Sequence, residues 1–198
     1  MTDCAAYPLE LERDLICGDG TRFRLRPIRS EDAPRLIALH GRLSLQTIHL
    51  RFFSAMRRLP TDWARYLAEV DYRGRLALVL ERPGPSDAEL VGVGRYDATG
   101  DPATAEVAFV VEDRWQGKGL GTALFTELLR VAESRGIRMF RADVLADNRR
   151  MLDLITRFGD VQSRETRAGV TSLIFTRAAT VGVTEARSGA PGFAGAPC

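Results

Sequence analysis

Three glycines at alternating positions, Gly117, Gly119 and Gly121, separate a β-branched run ending near Val111 from a long amphipathic stretch. Gln116, Lys118, Leu120 and Thr122 stand among and beside them. A helix start offers N–H groups with no intrahelical acceptor and the positive end of the helix dipole. Glycines let that backbone close on an anion with no Cβ in the way. Gln116 and Thr122 add side-chain donors. Lys118 adds a charge, and it is the only lysine in the chain, every other basic residue being arginine. Arginine-rich codon usage explains that bias but not the position of the exception. Two familiar phosphate loops do not fit. A nucleotide P-loop needs Ser or Thr after its lysine, where Gly119 stands, and the dinucleotide fingerprint needs its third glycine where Thr122 stands. The bland alternative is a tight strand-to-helix turn, and three alternating glycines are more than a turn requires.

The elements around this loop follow from periodicity and turn residues. Residues 21–29 alternate as a strand. Ser30 caps a helix that places Leu36, Ile37, His40 and Leu43 on one face. Ser44 opens a second helix through Ile48 to Phe52. Thr61 opens a third, with Trp63, Tyr66, Leu67 and Val70 as its expected apolar stripe. Strands at 75–82 and 89–98 flank a Pro/Gly/Ser turn and read as a hairpin, and 104–113 is the next strand. The helix after the glycines runs to Arg135 and stops at Gly136. A strand at 137–146, a helix at 147–159 and a closing hairpin of "VQSRET" and "VTSLIFTR" complete an α/β (α+β) domain. Residues 1–20 are expected to form an arm, 21–178 the domain, and 179–198, small and polar with Gly and Pro, a disordered tail.

Composition excludes several classes. A chain of 198 residues, 45% hydrophobic, supports one domain with a core. A net charge of +2 gives no electrostatic case for nucleic acid or an anionic membrane. No apolar run reaches the length of a membrane span, and acids occupy the N-terminus where a signal peptide carries basic residues. Cys4, Cys17 and Cys198 show no paired spacing, and His40 and His49 are the only histidines. No metal site is expected, and a reducing cytoplasm fits best.

The run Gln116-x-x-Gly119-x-Gly121, after "EVAFVV" and before an amphipathic helix, resembles the acyl-CoA signature of the GNAT superfamily of N-acetyltransferases. The agreement in element order covers roughly residues 21–177. It implies a mixed, mostly antiparallel central sheet flanked by helices, and acetyl-CoA as co-substrate. By the same resemblance, the amides of Gly117, Lys118, Gly119, Leu120, Gly121 and Thr122 hold the CoA pyrophosphate. The pantetheine arm pairs with backbone around Phe109, Val110 and Val111, and Asn148 contacts the CoA arm. Within the superfamily, "RLRPIRSEDAPRL", "LRFFS" and "AEVAFVVEDRWQGKGLG" resemble the Pat-like bacterial protein lysine acetyltransferases. That likeness implies acetyl transfer to a lysine ε-amine, with acyl-CoA synthetases as substrates. The alternative is a small-molecule amine or antibiotic N-acetyltransferase.

Such chemistry needs a base, because an amine of pKa about 10.4 is neutral in only about one molecule in two thousand at pH 7. Glu106 is the one carboxylate within "AEVAFVV" and shares a strand face with Ala108 and Val110. A carboxylate among apolar neighbours loses hydration and gains basicity. Spacing alone leaves open a strand-start glutamate paired with arginine; the resemblance gives Glu106 the general-base role. An N–H at a bulge near Val110 or Val111 is expected to hold the oxyanion. Glu112 and Asp113 are expected to be solvated, Asp143 structural and Asp71 at a turn. Many GNAT enzymes carry a tyrosine seven residues after the asparagine; here that position is Ile155. Phe52 and Phe53 are expected to pack the early helices on the acceptor side.

Overall fold

The computed structural model describes residues 6–84 and 88–179. Eight strands form one sheet: β1 (Arg13–Ile16), β2 (Arg22–Pro27), β3 (Arg75–Arg82), β4 (Glu89–Ala98), β5 (Thr104–Val111), β6 (Met139–Leu145), β7 (Gly159–Arg167) and β8 (Val170–Arg177). Their order across the sheet is β1-β2-β3-β4-β5-β6-β8-β7. Every neighbouring pair is antiparallel except β5 and β6, which are parallel and need a crossover. That crossover is α4 (Leu120–Ser134). The helices α1 (Ala33–Arg42), α2 (Leu45–Phe52) and α3 (Thr61–Ala68) lie between β2 and β3, and α5 (Arg149–Phe158) between β6 and β7.

The middle of the sheet is buried on both faces, and β3 shows how. Leu76, Leu78 and Leu80 join the core that contains Leu124, Phe125 and Leu128 of α4. Ala77 and Val79 join the core under α1 and α3, with Leu36, Leu39 and Ala64. Period-two alternation therefore feeds two cores from one strand, each fully buried Leu contributing on the order of 1.5–3 kcal/mol.

Two expectations are corrected. Arg13–Ile16, read as part of an arm, is the edge strand of the sheet, paired in register with Arg22–Leu25. Its side chains are mostly exposed, so the strand is ordered by ladder hydrogen bonds and carries no hydrophobic alternation to read. In α3 the buried residues are Ala64 and Ala68, while Trp63 and Tyr66 are 38% and 55% exposed. Small residues let α3 approach closely; Leu67 and Val70 of the expected stripe pack half-buried against the same core, and Trp63 and Tyr66 face outward. The tail assignment falls almost wholly on residues outside those described. No helix among the described residues is long and apolar enough to cross a membrane.

Candidate active site: a strand gap, an unpartnered amide run and Glu106

Gly117 and Gly119 adopt φ of +75° and +83°, a region that strains any residue with a Cβ. Gly119 is the N-cap of α4, with no side-chain cap bond. Gly121 is different: a Cβ there would make only ordinary contacts, 3.9 Å from Phe109 Cε2 and Val111 Cγ2. Two glycines are thus demanded by the turn, and the third by nothing within the protein. Among the described residues, no N–H from 117 to 122 has a hydrogen-bond partner. Six successive free amides at a helix N-terminus, beside a glycine whose missing Cβ leaves room, fit a pyrophosphate.

The strand before the loop is open on one side. The β5–β6 ladder holds only three rungs, ending at Glu106 opposite Arg141. The β4–β5 ladder meanwhile continues to Val111 opposite Gly92 without a register shift. The Glu112 N–H donates to Val91 O at 2.8 Å, which sets the phase of that ladder. Val110, in the same phase, turns its N–H and C=O to β4. Phe109 and Val111 turn theirs away, into the space β6 has left. Backbone pairing there is consequently available from Phe109 and from the N–H of Val111, whose C=O accepts from Gln116, and not from Val110, whose backbone is committed to Val93. The bulge expected at Val110 or Val111 is absent from β5; the extra residue is Val91 on β4.

A cleft of about 600 Å³ occupies the gap. Glu106, Ala108, Phe109, Asp143, Asn148 and Ile155 line it, with Leu50, Arg51 and Phe53 from the α2 side. Glu106 is exposed, contrary to the expected apolar burial, because the strands part at its position. Asp143 brings a second carboxylate, accepting from Ser172 Oγ at 2.6 Å. Asn148 caps α5, its Oδ1 accepting from the Met151 N–H at 3.3 Å. Tyr66, Tyr72 and Tyr96 do not line the cleft; the Tyr96 hydroxyl is buried against Arg73 O at 2.7 Å and that of Tyr72 donates to Ile28 O.

The loop is braced by side chains that sequence reading placed otherwise. Gln116 spends its Nε2 donor on Val111 O at 2.9 Å, while its Oε1 accepts from Arg150 at 3.2 Å. It ties β5 to α5 and is not free to meet a ligand. Asp113 is not simply solvated: it accepts from Ser44 N–H at 2.9 Å and from the Ser44 and Thr47 hydroxyls at 2.7 Å each. Glu112, 3% exposed, pairs with Arg42 at 3.1 Å and with Arg114. These bonds fasten the loop to the start of α2. Lys118 meets Asp19 at 2.7 Å and lies over Trp115 at 5.1 Å. Asp71, as expected, fixes a turn by accepting from the Arg73 and Arg75 N–H groups, both at 2.8 Å.

One residue, Arg51, was missed, and Phe53, expected to pack the acceptor-side helices, instead stands exposed at the cleft. Phe53 ends α2 with φ of +56° and is 41% exposed at the cleft, a strained conformation for a bulky residue. Arg51 follows buried Ile48 by three positions, so helical spacing alone places it on the inward face.

Among the described residues no cluster of His, Cys, Asp and Glu is arranged to hold a metal ion. The model of the acetyltransferase (GNAT) family matches residues 43–160. An acetyltransferase of Pseudomonas aeruginosa, PA5475, is 32% identical over 147 residues, covering 74% of this chain and 79% of that protein. Acetyltransferase Pat of Mycolicibacterium smegmatis is 36% identical over 150 residues, 74% of this chain but only 43% of Pat, so the chain spans less than half of that relative. The crystal structure of the GNAT domain of S. lividans PAT superposes with a TM-score of 0.77 at 33% identity, covering 86% of this chain and 99% of that one. The free amide run, the strand gap and these likenesses agree: the chain belongs to the GNAT family of acetyltransferases and is an acetyl-CoA-dependent N-acyltransferase.

Proposed function

We propose that the chain acetylates the ε-amine of a protein lysine by direct transfer, with Glu106 as general base. The observation that carries this reading is the position of Glu106, an accessible carboxylate at the point where β5 and β6 separate. Acetyl-CoA supplies the acyl group as a thioester. The amides of residues 117–122 and the Thr122 hydroxyl bind its pyrophosphate, and the Lys118 ammonium lies close enough to add charge. Phe109 and Val111 offer strand-like pairing to the pantetheine arm, and Asn148 lines the same wall.

Glu106 accepts the proton that the lysine ammonium must lose before its nitrogen can attack. A backbone N–H turned into the gap, that of Phe109 or Val111, is the chain's donor for the oxyanion. With Ile155 where a tyrosine often stands, the described cleft holds no phenol to return a proton to the departing sulfur. A thiol of ordinary pKa about 8.5 leaves well enough as the thiolate.

A protein acceptor is favoured by apolar side chains left exposed on the acceptor-side helices. Phe53, which lines the cleft, is 41% exposed, Leu45 at the start of α2 is 69% exposed, and Trp63 and Tyr66 of α3 are exposed as well. Large apolar side chains in that number suit a protein partner. The test is thiol release from acetyl-CoA with an acyl-CoA synthetase and, separately, with a panel of small amines. Turnover with the protein, lost in Glu106→Gln, supports the proposal. Turnover with amines alone reassigns the chain to small-molecule acetylation.

A further inference from the structure

On the sheet face away from α4, the helices α1, α2 and α3 line a second, half-open cavity against β4 and β5. Its wall is mostly apolar, with Leu36, Leu39, Leu43, Phe52, Leu59 and Val110. Three polar side chains interrupt it. Arg95 is matched, donating to Asp97 at 2.8 and 3.0 Å and to Leu67 O at 3.3 Å. The other two are not matched. His40 is 3% exposed, and its Nε2 has no hydrogen-bond partner among the described residues. Arg51 has neither a hydrogen bond nor an ion pair among the described residues; its guanidinium rests 5.0 Å over the ring of Phe52. The His40 ring lies 5.6 Å from the same phenylalanine, so the two unmatched groups flank one aromatic side chain.

Burial, and then the charge of Arg95, pull the Arg51 guanidinium down to about 10 against the opposing charges of Glu106 and Asp97, and burial holds His40 below its ordinary value. The His40 direction is that of a buried group short of water, and half-buried Arg51 has no counter-charge in contact among the described residues, Glu106 and Asp97 acting on it only from a distance. Leaving a buried polar group unmatched costs on the order of 1–3 kcal/mol, and more when it is charged. A neutral apolar occupant would fill the cavity without relieving Arg51. A phosphate would relieve Arg51 but not suit an apolar wall. A carboxylate matches the guanidinium fork, and a hydrocarbon group matches the leucines.

We propose that this cavity is a binding site for a small apolar carboxylic acid. The carboxylate pairs with Arg51, the hydrocarbon lies among Leu36, Leu39, Leu43 and Phe52, and His40 Nε2 donates a second hydrogen bond. Arg51 lines both this cavity and the Glu106 cleft, so the acid's polar end lies at the boundary between the two. The site does not depend on acetyl transfer.

The test is calorimetric titration of the full chain, without acetyl-CoA, with 4-methylpentanoate and phenylacetate and with the corresponding amides. Wild type, Arg51→Gln and Arg51→Lys are compared, with thermal unfolding to show that each is folded. Saturable binding of the acids, at least about tenfold tighter than the amides and lost in Arg51→Gln, is expected from one charge-assisted contact. The chain has only two histidines, so the imidazole proton signals report the site directly. That of His40 should move on acid binding, and that of exposed His49 should not. Equal binding of acid and amide, no binding of either, or an unmoved His40 signal would overturn the proposal. Each of those results leaves acetyl transfer untouched.

Discussion

Glu106 stands opposite Arg141 in the last rung of the parallel β5–β6 ladder, and the strands part beyond it. The same feature frees backbone groups on Phe109 and Val111 and exposes a carboxylate beside them. A sheet that stayed paired would have neither an arm-binding edge nor an accessible base. Glu106→Gln preserves the shape of the side chain and removes its basicity. We expect kcat to fall about 10²- to 10⁴-fold, with the affinity for acetyl-CoA nearly unchanged. Single-turnover kinetics with a lysine-bearing protein check this. A kcat within a few-fold of wild type would move the base elsewhere, with Asp143 across the cleft the next candidate.

Gly119 and Gly121 should separate by experiment. Gly119→Ala places a Cβ at φ of +83°, which costs on the order of 1–2 kcal/mol of stability. Gly121→Ala meets only atoms at 3.9 Å and replaces a poor helix former within α4, so stability should hold or rise by up to about 1 kcal/mol. Its effect should fall on acetyl-CoA binding, weakened about tenfold or more if the pyrophosphate needs that space. Denaturant unfolding and equilibrium binding, run on both variants, give the comparison. Unimpaired binding in Gly121→Ala would reduce that glycine to a helix residue of no consequence.

What the sequence made legible was local. The boundaries of β3 and β4 follow from alternation ended by turn residues, and residues 75–82 and 89–98 are the observed strands. Ser44 caps α2 as its type and place require, accepting from the Thr47 N–H at 3.1 Å. The glycine loop was legible because backbone geometry demands glycine at two of its positions. The gap was not: "TAEVAFVV" is uniformly strand-like, and nothing in it tells where β6 stops following. Asp113 was misread for the same reason, since its partners Ser44 and Thr47 lie more than 60 residues away. Gln116 was misread in part for it, its Oε1 being held by Arg150, 34 residues on, though its donor goes to Val111 nearby. Long-range hydrogen bonds leave no periodic trace.

Lys118 and Asp19 form a second separable case. The hydrogen bond from Lys118, followed by that from the Thr21 N–H, holds the Asp19 carboxyl well below the usual carboxylate range. The pair is exposed, so neither partner should matter to the melting temperature. Asp19→Asn releases Lys118 and should tighten acetyl-CoA a few-fold at low ionic strength, while Lys118→Met loosens it. Both effects should shrink as salt rises, because solvent-exposed charges are screened within about 10 Å at 0.1 M. Binding measured at two salt concentrations decides. A drop in melting temperature with unchanged affinity would make the pair a clamp on the β1–β2 turn.

The acceptor-side helices depend on a buried charge cluster whose pH behaviour can be stated in advance. Arg26 donates to Asp32 at 2.7 and 2.9 Å and to Glu81 at 3.1 and 3.2 Å, and the Arg29 N–H donates to Asp32 at 2.9 Å. This joins β2 and β3 to the start of α1. Burial alone would raise the Asp32 carboxyl, but its hydrogen bonds to Arg26 and the Arg29 N–H, with the charges of Arg26 and Arg35, more than offset that and hold it below the ordinary value. As pH falls, the unfolded chain therefore takes up the Asp32 proton before the folded one does. The contribution is complete above about pH 4 and is lost as pH drops towards the depressed folded value. Asp32→Asn should destabilise at neutral pH and flatten the acid limb of the stability curve. Arg26→Met, leaving a buried carboxylate without its partner, should cost on the order of 3–5 kcal/mol, with much of it recovered by adding Asp32→Leu. Urea unfolding from pH 7 down to about pH 3 reads both effects. An unchanged acid slope in Asp32→Asn would place the pH sensitivity in other carboxylates, and a double variant no better than Arg26→Met would show that the cluster fixes the α1 entry by geometry rather than by charge balance.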